Sequence, residues 1–367
     1  MLRAALIGFG SSGKTTLFQL MTSARETARA AHGKGETTVG ISKVPDARLD
    51  RLTAMYNPRK RVPATVEFTD IAAGAAGGAK ALVDVAAYKN ADALVHVVRA
   101  FHDPAVAHPS GSVNPGRDAQ AMEDELILAD LGVAERRLER LEKDLKKTRS
   151  PELERERDVI RICQTALEQA QPLRTLDLKG EELKRLRGFQ FLSAKPLLIV
   201  INLDESQLTG GEAALHVDRA AQATGLEGFL SHAATAAAAV CAKIELEIAQ
   251  LEPSDAAAFL ADLGLTESGL DRVIRASYDL LGYISFFTVG EDECRAWSIP
   301  RGTAAQLAAG EIHSDIARGF IRAEVVSYNH LIARGSMTAC RDHGEVRLEG
   351  KEYIVLDGDI INFRFAT

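Results

Sequence analysis

A glycine-rich loop near the start of the chain carries residues suited to phosphate chemistry. Residues 8–15 read Gly-Phe-Gly-Ser-Ser-Gly-Lys-Thr, which is the pattern G-x-x-x-x-G-K-T. Apolar residues 4–7 precede the loop and a helical pattern over residues 16–21 follows it, as this pattern requires. Successive backbone N–H groups in such a loop and the dipole of the following helix bind anions. We therefore predict phosphate contacts from Gly10, Ser11, Ser12, Gly13, Lys14, Thr15 and Thr16.

Three side chains around this loop are predicted to serve the phosphoryl group and a metal ion. Lys14 is the predicted catalytic residue, because a lysine at this position reaches the β- and γ-phosphates. The hydroxyl of Thr15 is predicted to ligate Mg²⁺. Asp70 follows the strand pattern of residues 65–69, where P-loop enzymes place a carboxylate that holds the metal shell. The sequence thus predicts a Mg²⁺ site at Thr15 and Asp70.

A second cluster follows an apolar run at residues 197–201, which is typical of a strand buried on both faces. Ligands of open α/β sheets bind beyond the carboxyl ends of such strands. Guanine-specific P-loop proteins have N-K-x-D at this point, whereas this chain has Asn202-Leu203-Asp204-Glu205. The longer glutamate displaces the carboxylate by ~1 Å and the leucine offers an apolar surface to a purine, which favours adenine. We predict base contacts from Asn202, Leu203 and Glu205, and from the backbone of Cys241 and Ala242.

The bulk composition excludes several classes of protein. A chain of 367 residues allows two to three domains, and a net charge of -7 argues against a general nucleic-acid coat. The four cysteines form no C-x-x-C pair, and no DNA-specific motif is present. The start of the chain has no signal-type stretch, and no apolar run approaches the ~18 residues of a membrane span. We expect a cytoplasmic protein without membrane contact.

A charged segment, residues 122–171, has the pattern of two antiparallel helices. Ser150-Pro151 suits an N-cap and a first helical position, which puts the turn at residues 148–150. Lys143, Lys146, Lys147 and Arg149 crowd this turn, so the hairpin tip either contacts RNA or is a solvated face, with pairing to another protein's helices as a rival interpretation. The predicted apolar seam consists of Leu131, Ala134, Leu138, Leu141 and Leu145, then Ile160, Cys163, Leu167 and Ala170.

The pattern changes to short strands after residue 283. Strands are predicted at residues 284–288, 295–299, 346–348, 353–356 and 360–365, with one helix at residues 303–308. A small mixed sheet with one helix is typical of a β-grasp module. His313 and Asp315 are interpreted as residues that organise a turn, since no nucleophile or metal partner accompanies them.

With these residues assembled, the chain resembles the YchF/Obg-like ATPase family of translation-factor-related P-loop proteins. The resemblance implies a doubly wound α/β P-loop sheet, residues 1–121 and 190–282, an inserted helical arm, residues 122–189, and a ubiquitin-like TGS module, residues 283–367. It also implies ATP preferred to GTP, slow hydrolysis, and association with the ribosome or its RNA through the arm and the TGS module. Besides the two motifs above, it rests on residues 44–50, 96–101, 125–131, 262–265, 296–299, 312–315 and 318–325.

Two departures from the family pattern bear on turnover. The family's D-x-x-G reads Asp70-Ile71-Ala72-Ala73, so alanine stands in place of the glycine, unless Gly74 replaces it after a one-residue shift. Lys34 stands where the family has its switch threonine, with Thr37 and Thr38 nearby. Three classes stay open: a weak ATPase, a non-hydrolysing nucleotide-gated adaptor, and a small-molecule phosphotransferase. The third is disfavoured, because N-x-x-E and a β-grasp tail have no part in a substrate pocket.

Overall fold

The computed structural model describes residues 2–22, 28–32, 35–71, 88–208, 211 and 215–366, with backbone alone over residues 28–32, 35 and 36. The chain divides into two compact units. The larger unit contains Leu2–Ile41 and Glu67–Leu280, and the smaller unit contains Ser42–Val66 and Leu281–Thr367. Residues 42–66, which the sequence assigns to the nucleotide domain, thus lie in the smaller unit. The predicted domain boundaries at residues 121, 189 and 282 stay a prediction.

The strands of the larger unit form one sheet in the order β2-β3-β5-β1-β6-β7-β8. β1, β6, β7 and β8 are mutually parallel, and β2 pairs with β3 antiparallel. In chain order the strands of both units are β1 (Leu2–Ile7), β2 (Ala28–His32), β3 (Gly35–Lys43), β4 (Lys60–Val62), β5 (Thr65–Ile71), β6 (Ala93–Arg99), β7 (Leu197–Asn202), β8 (Thr235–Val240), β9 (Tyr283–Thr288), β10 (Glu293–Pro300), β11 (Phe320–Ser327), β12 (Arg347–Glu349) and β13 (Asp359–Phe365).

The central strands β6 and β7 are buried at every position. Their apolar runs contain few charged residues, because helices cover both faces of a parallel sheet. His96 and Arg99 are the exceptions in β6, and both are buried. The core beside these strands includes Leu94, Ile199 and Ile201.

Helices flank the sheet, and two of the longer ones begin at residues with capping side chains. Asn114 and Ser150 each accept a hydrogen bond from a backbone N–H in the first turn of the following helix, and proline follows each cap. In chain order the helices are α1 (Lys14–Thr22), α2 (Ala47–Tyr56), α3 (Pro115–Leu145), α4 (Pro151–Glu168), α5 (Glu181–Leu186), α6 (Val217–Thr224), α7 (Glu227–Leu230), α8 (Ala242–Ile248), α9 (Pro253–Asp262), α10 (Gly269–Leu280), α11 (Ala305–Ile312), α12 (Ser314–Arg318), α13 (Tyr328–Arg334) and α14 (Met337–Asp342).

The helices α3 and α4 pack as the predicted hairpin. The Ser150-Pro151 start of α4 is confirmed, and Ala134, Leu138 and Cys163 are buried in the seam between the helices. Ala170 is exposed, because α4 ends at Glu168 and the chain turns away from the seam. In the described part of the chain, no helix has the length and apolar character to cross a membrane.

The smaller unit has a sheet in the order β12-β11-β13-β9-β10-β4. Helix α11 packs on this sheet through Ala305, Ala308 and Ala309, and it extends to Ile312 rather than ending at residue 308 as predicted. The strand predicted at residues 353–356 is wrong, since this segment makes a single bridge, from Ile354 to Ala304, and is otherwise irregular between two turns. Its apolar residues resemble a strand in sequence, but they do not pair as one.

Candidate functional site

The phosphate loop connects β1 to α1 and requires glycine at two positions. Gly8 has φ of +143°, and a Cβ there would lie 2.6 Å from the carbonyl oxygen of Val97. Gly13 has φ of +95°, and a Cβ there would lie 2.4 Å from Nδ2 of Asn202. Both conformations and both contacts exclude a side chain. The G-x-x-x-x-G spacing is therefore a consequence of how closely the loop approaches β6 and β7.

Lys14, the first residue of α1, places its ammonium inside this loop. Its Nζ donates to the carbonyl oxygens of Gly8 at 2.7 Å and Phe9 at 2.8 Å. Burial lowers the pKa of Lys14, and the nearby carboxylate of Asp70 partly opposes that shift. The ammonium is therefore held over the loop amides, where it can exchange carbonyl oxygens for phosphate oxygens.

Thr15, the second residue of α1, contacts Asp70 near the end of β5. The Oγ1 of Thr15 donates to Oδ2 of Asp70 at 2.9 Å. Asp70 is buried, and its Oδ1 has no hydrogen-bond partner among the described atoms. A buried, unpaired carboxylate oxygen next to a hydroxyl fits a hard cation and its water shell. In the described residues, His, Cys, Asp and Glu form no group of three or more that holds a metal by itself, so such an ion needs further oxygens from a ligand.

A cavity of about 620 Å³ opens beside the loop at the carboxyl ends of β6, β7 and β8. Parallel sheets bind ligands at this edge. Predicted site residues that are far apart in the sequence line it: Ser11, Gly13, Thr16, Asn202, Leu203, Glu205, Cys241 and Ala242. Gly10 and Ser12 instead line a second, smaller space, together with His96. His96 is buried and its Nε2 has no partner among the described atoms, and burial lowers its pKa to about 3.

Asn202 joins the phosphate loop to the loop after β8. Its Nδ2 donates to the carbonyl oxygen of Ser12 at 3.0 Å, and its Oδ1 accepts from the backbone N–H of Ala242 at 3.0 Å. The side chain is buried, and these two bonds engage both ends of its amide. Asn202 thus connects the two loops by hydrogen bonds. A direct contact between Asn202 and a base stays a prediction.

The two carboxylates of the N-x-x-E turn have different surroundings. Asp204 accepts hydrogen bonds from the backbone N–H and hydroxyl of Ser206 and from the backbone N–H of His102. The bond from the Ser206 backbone lowers the pKa of Asp204 most. Glu205 instead pairs with Lys243, whose Nζ lies 2.5 Å from Oε2. The carboxylate that faces the cavity with room for a ligand is therefore that of Glu205.

The cavity wall also includes residues that the motifs did not indicate. They belong to the loop after β6, which contributes Phe101 and Val106, and to α8, which contributes Lys243. Arg99 fixes this loop, since its guanidinium donates to the carbonyl oxygens of Phe101 and Val106 and lies 4.5 Å from the Phe101 ring centroid. The sequence could have indicated this loop as part of the site, because it directly follows a buried parallel strand.

The two departures from the family pattern fall outside the described residues. Lys34 and residues 72–87, which include Ala73 and Gly74, are among those that the structure does not describe. Thr37 and Thr38 lie in β3 and are half-buried. The predictions about the switch segments therefore stay predictions.

A sheet of this order, with the phosphate loop between its first strand and first helix and the cavity at its carboxyl edge, defines a P-loop nucleoside-triphosphatase fold. Residues 283–366 match the family model described as "YchF-GTPase_C: Protein of unknown function (DUF933)". The chain is 41% identical over 372 residues to the Ribosome-binding ATPase YchF of Bacillus subtilis (strain 168), covering 99% of each. The chain belongs to the YchF family.

Two further comparisons agree with this assignment. The chain is 37% identical over 371 residues to the Ribosome-binding ATPase YchF of Escherichia coli O157:H7, again with 99% of each covered. A solved structure of the Schizosaccharomyces pombe YchF GTPase matches with a TM-score of 0.81 and 27% identity, covering 99% of this chain and 97% of the other. The predicted family and fold class are confirmed.

Proposed function

We propose that this protein is a Mg²⁺-dependent purine-nucleotide-binding P-loop ATPase that prefers ATP to GTP, hydrolyses it slowly and associates with the ribosome. The observation that carries the proposal is a cavity whose wall contains residues of the phosphate loop and of the N-x-x-E turn, Asn202 to Glu205. Relatives named ribosome-binding ATPase, 37% and 41% identical over nearly the whole chain, support it. A protein that associates with the ribosome works in the cytoplasm.

In this proposal the phosphates lie across the loop amides. The N–H groups of residues 10–16 and the N-terminus of α1 bind the anion, and the ammonium of Lys14 moves from the loop carbonyls to the β- and γ-phosphates. Thr15 would hold Mg²⁺ directly and Asp70 would hold it through water, which fits the unpaired Oδ1 of Asp70. When bound, the ion neutralises phosphate charge.

The purine lies at the other end of the cavity. Leu203 lines this end of the cavity, although only 3% of its surface is exposed. The backbone of Cys241 and Ala242 begins α8 there, and Glu205 presents its carboxylate. A guanine edge needs both carboxylate oxygens in place at once, and the longer glutamate displaces them by ~1 Å, whereas adenine presents one amino group and needs one oxygen. The glutamate at this position therefore favours ATP.

The remaining segments are proposed to contact the ribosome. In this proposal residues 1–121 and 190–282 form the nucleotide domain, residues 122–189 the arm, and residues 283–367 the TGS module. The side chains of Lys143, Lys146, Lys147 and Arg149 are exposed where α3 ends and α4 begins. Such a cluster at the end of a helical hairpin attracts RNA phosphates on a chain of net charge -7.

A non-hydrolysing adaptor is the second candidate. It is favoured by Ala73 and Lys34, which stand where the family has a glycine and a threonine in its switch segments. Such a protein would bind ATP and orient the arm without turning the nucleotide over. Its nucleotide affinity and its ribosome association would be those of the weak ATPase.

Two measurements test these candidates. Calorimetric titration with ATP, GTP, ADP and GDP in the presence of Mg²⁺ should show the tightest binding for an adenine nucleotide. The absence of binding by all four would refute the proposed function. Single-turnover hydrolysis of bound ATP then decides between the candidates, since a chain that binds ATP and releases no phosphate is the adaptor.

A further inference from the structure

Lys243 is a basic residue of the cavity wall to which neither motif assigns a role. It lies in the first turn of α8, and its Nζ contacts Oε2 of Glu205 at 2.5 Å. The Lys243 side chain is 69% exposed and that of Glu205 is 37% exposed. Both line the cavity, so the ion pair is accessible to a ligand.

The pair makes the two carboxylate oxygens of Glu205 unequal at this end of the cavity. Both oxygens of Asp204 are bonded within the protein, Oδ1 to Ser206 and Oδ2 to His102. Oε2 of Glu205 is bonded to Lys243, and Oε1 has no hydrogen-bond partner among the described residues. A base that enters the cavity therefore meets one Glu205 oxygen without a hydrogen bond, Oε1, and a second, Oε2, that has one lone pair left beside an ammonium.

We propose that Lys243 sets the base selectivity of this site by holding its ammonium beside one of the two Glu205 oxygens. This inference rests on the proposed nucleotide binding. A guanine edge presents two adjacent N–H donors, at N1 and N2, and a carboxylate satisfies both only with two oxygens. An adenine edge presents one amino donor at N6, which Oε1 alone satisfies. The Lys243–Glu205 pair thus accepts ATP as it stands, whereas GTP must bring its second N–H up to an oxygen that already bonds an ammonium.

The bound base strengthens this discrimination. An ion pair in open solvent contributes little, because water screens it. A purine in the cavity displaces that water, and the attraction between Lys243 and Glu205 rises as the local dielectric constant falls. The second N–H of GTP then has to displace the ammonium or to bond beside it, against the repulsion between two positive hydrogen-bond donors.

Two substitutions at position 243 test the inference. Lys243→Met removes the charge but keeps a long, unbranched side chain, and it takes the ammonium away from Oε2. The ratio of the GTP and ATP dissociation constants, measured by calorimetry with Mg²⁺, should fall about fivefold, the change given by an ion pair of this kind. Lys243→Arg keeps the charge at Glu205 and should keep the ratio of the unmodified protein. Lys179→Met, at an exposed lysine paired with Asp177, is the matched control and should leave the ratio unchanged.

Other outcomes separate this inference from the function on which it rests. If Lys243→Met leaves the ratio unchanged, or weakens ATP and GTP by the same factor, Lys243 supplies no selectivity and the inference is wrong. If the unmodified protein binds neither ATP nor GTP, the proposed function itself fails. A fall in the ratio with Lys243→Arg as large as with Lys243→Met would also overturn it, because the charge at Glu205 would then be irrelevant.

Discussion

The ammonium of Lys14 makes two hydrogen bonds to loop carbonyl oxygens and lies at the start of α1. Under the proposed function, Lys14→Ala removes the cation that meets the terminal phosphates. Loss of two charge-assisted hydrogen bonds should weaken ATP binding by about 100-fold or more. Calorimetric titration with ATP and Mg²⁺ measures this loss. Lys179→Ala, at an exposed lysine, is the control, and an unaltered ATP affinity in Lys14→Ala would show that the phosphates bind elsewhere.

Individual residues differ in how far the sequence alone could assign them. The glycine-rich loop was predictable because its spacing reflects two backbone conformations, at Gly8 and Gly13, that other residues rarely adopt. The double bond of Asn202 to Ser12 and Ala242 was not, because a pattern gives the position of a residue and not the direction of its side chain. The Lys243–Glu205 pair was missed for the same reason.

At the scale of the elements, Asn202 connects the loop before α1 to the loop before α8. In Asn202→Ala the carbonyl oxygen of Ser12 and the N–H of Ala242 lose their buried partners. We expect the free energy of unfolding to fall by about 1–3 kcal/mol and ATP affinity to fall with it, since both loops border the cavity. Urea unfolding and calorimetry measure the two effects.

The control for this substitution lies in the smaller unit. Asn362 is exposed, and its Nδ2 donates to Glu324 at 3.3 Å. Asn362→Ala should change the free energy of unfolding by less than about 0.5 kcal/mol. Equal effects of the two substitutions would mean that the bridge between the loops contributes nothing of its own.

Helix α8 also carries a buried carboxylate that makes stability depend on pH. Glu245 accepts a hydrogen bond from the N–H of Gly269 at 2.7 Å, where α10 begins, and its Oε2 has no partner among the described atoms. Burial raises the pKa of Glu245 from 4.5 to about 6, although the N–H groups of Gly269 and Leu270 oppose the shift. The folded state therefore holds this proton more tightly than the unfolded state does.

The sign of the effect follows from that difference. As pH rises from 4.5 to about 6, the unfolded state ionises first, so the folded state loses about 2 kcal/mol of stability. Glu245→Gln stays neutral and should gain this amount relative to the unmodified protein between pH 4 and pH 7. Denaturant unfolding at a series of pH values measures it, with the exposed Glu247→Gln on the same helix as control. A constant difference across this range would show that Glu245 is not the group responsible.

The elements themselves were predictable where they are long or capped. The hairpin of α3 and α4 follows from the apolar spacing and from Ser150-Pro151. The edge strand β4 was not predictable, since it has three residues and pairs in parallel with β10, more than 200 residues further along the chain. Both strands belong to the smaller unit. The residues of Lys60–Val62 show no pattern from which a pairing with so distant a segment could be predicted.

For the whole molecule, the proposed role requires that the arm, and not the overall charge, recognises RNA. The chain carries a net charge of -7, so contact with RNA phosphates must come from a local basic cluster. Lys146 and Lys147 lie between α3 and α4, and both are exposed. Arg136 and Arg140 are also exposed, but they lie within α3, away from the turn. Substitution of either pair changes the net charge by the same amount, so a difference between the two variants reports the effect of position.

Reversal of two charges at the tip should weaken ribosome binding. Lys146→Glu with Lys147→Glu is expected to lower the association constant about tenfold at ~0.15 M salt, and to reduce the slope of log K against log salt by about 2, since two phosphate contacts are lost. Arg136→Glu with Arg140→Glu makes the same change in net charge and should alter binding far less. Co-sedimentation with purified ribosomes over a salt series, in the presence of ATP and Mg²⁺, measures both. Equal losses in the two variants would mean that overall repulsion acts rather than a contact at the tip, and no loss in either would place the ribosome contact on another part of the chain.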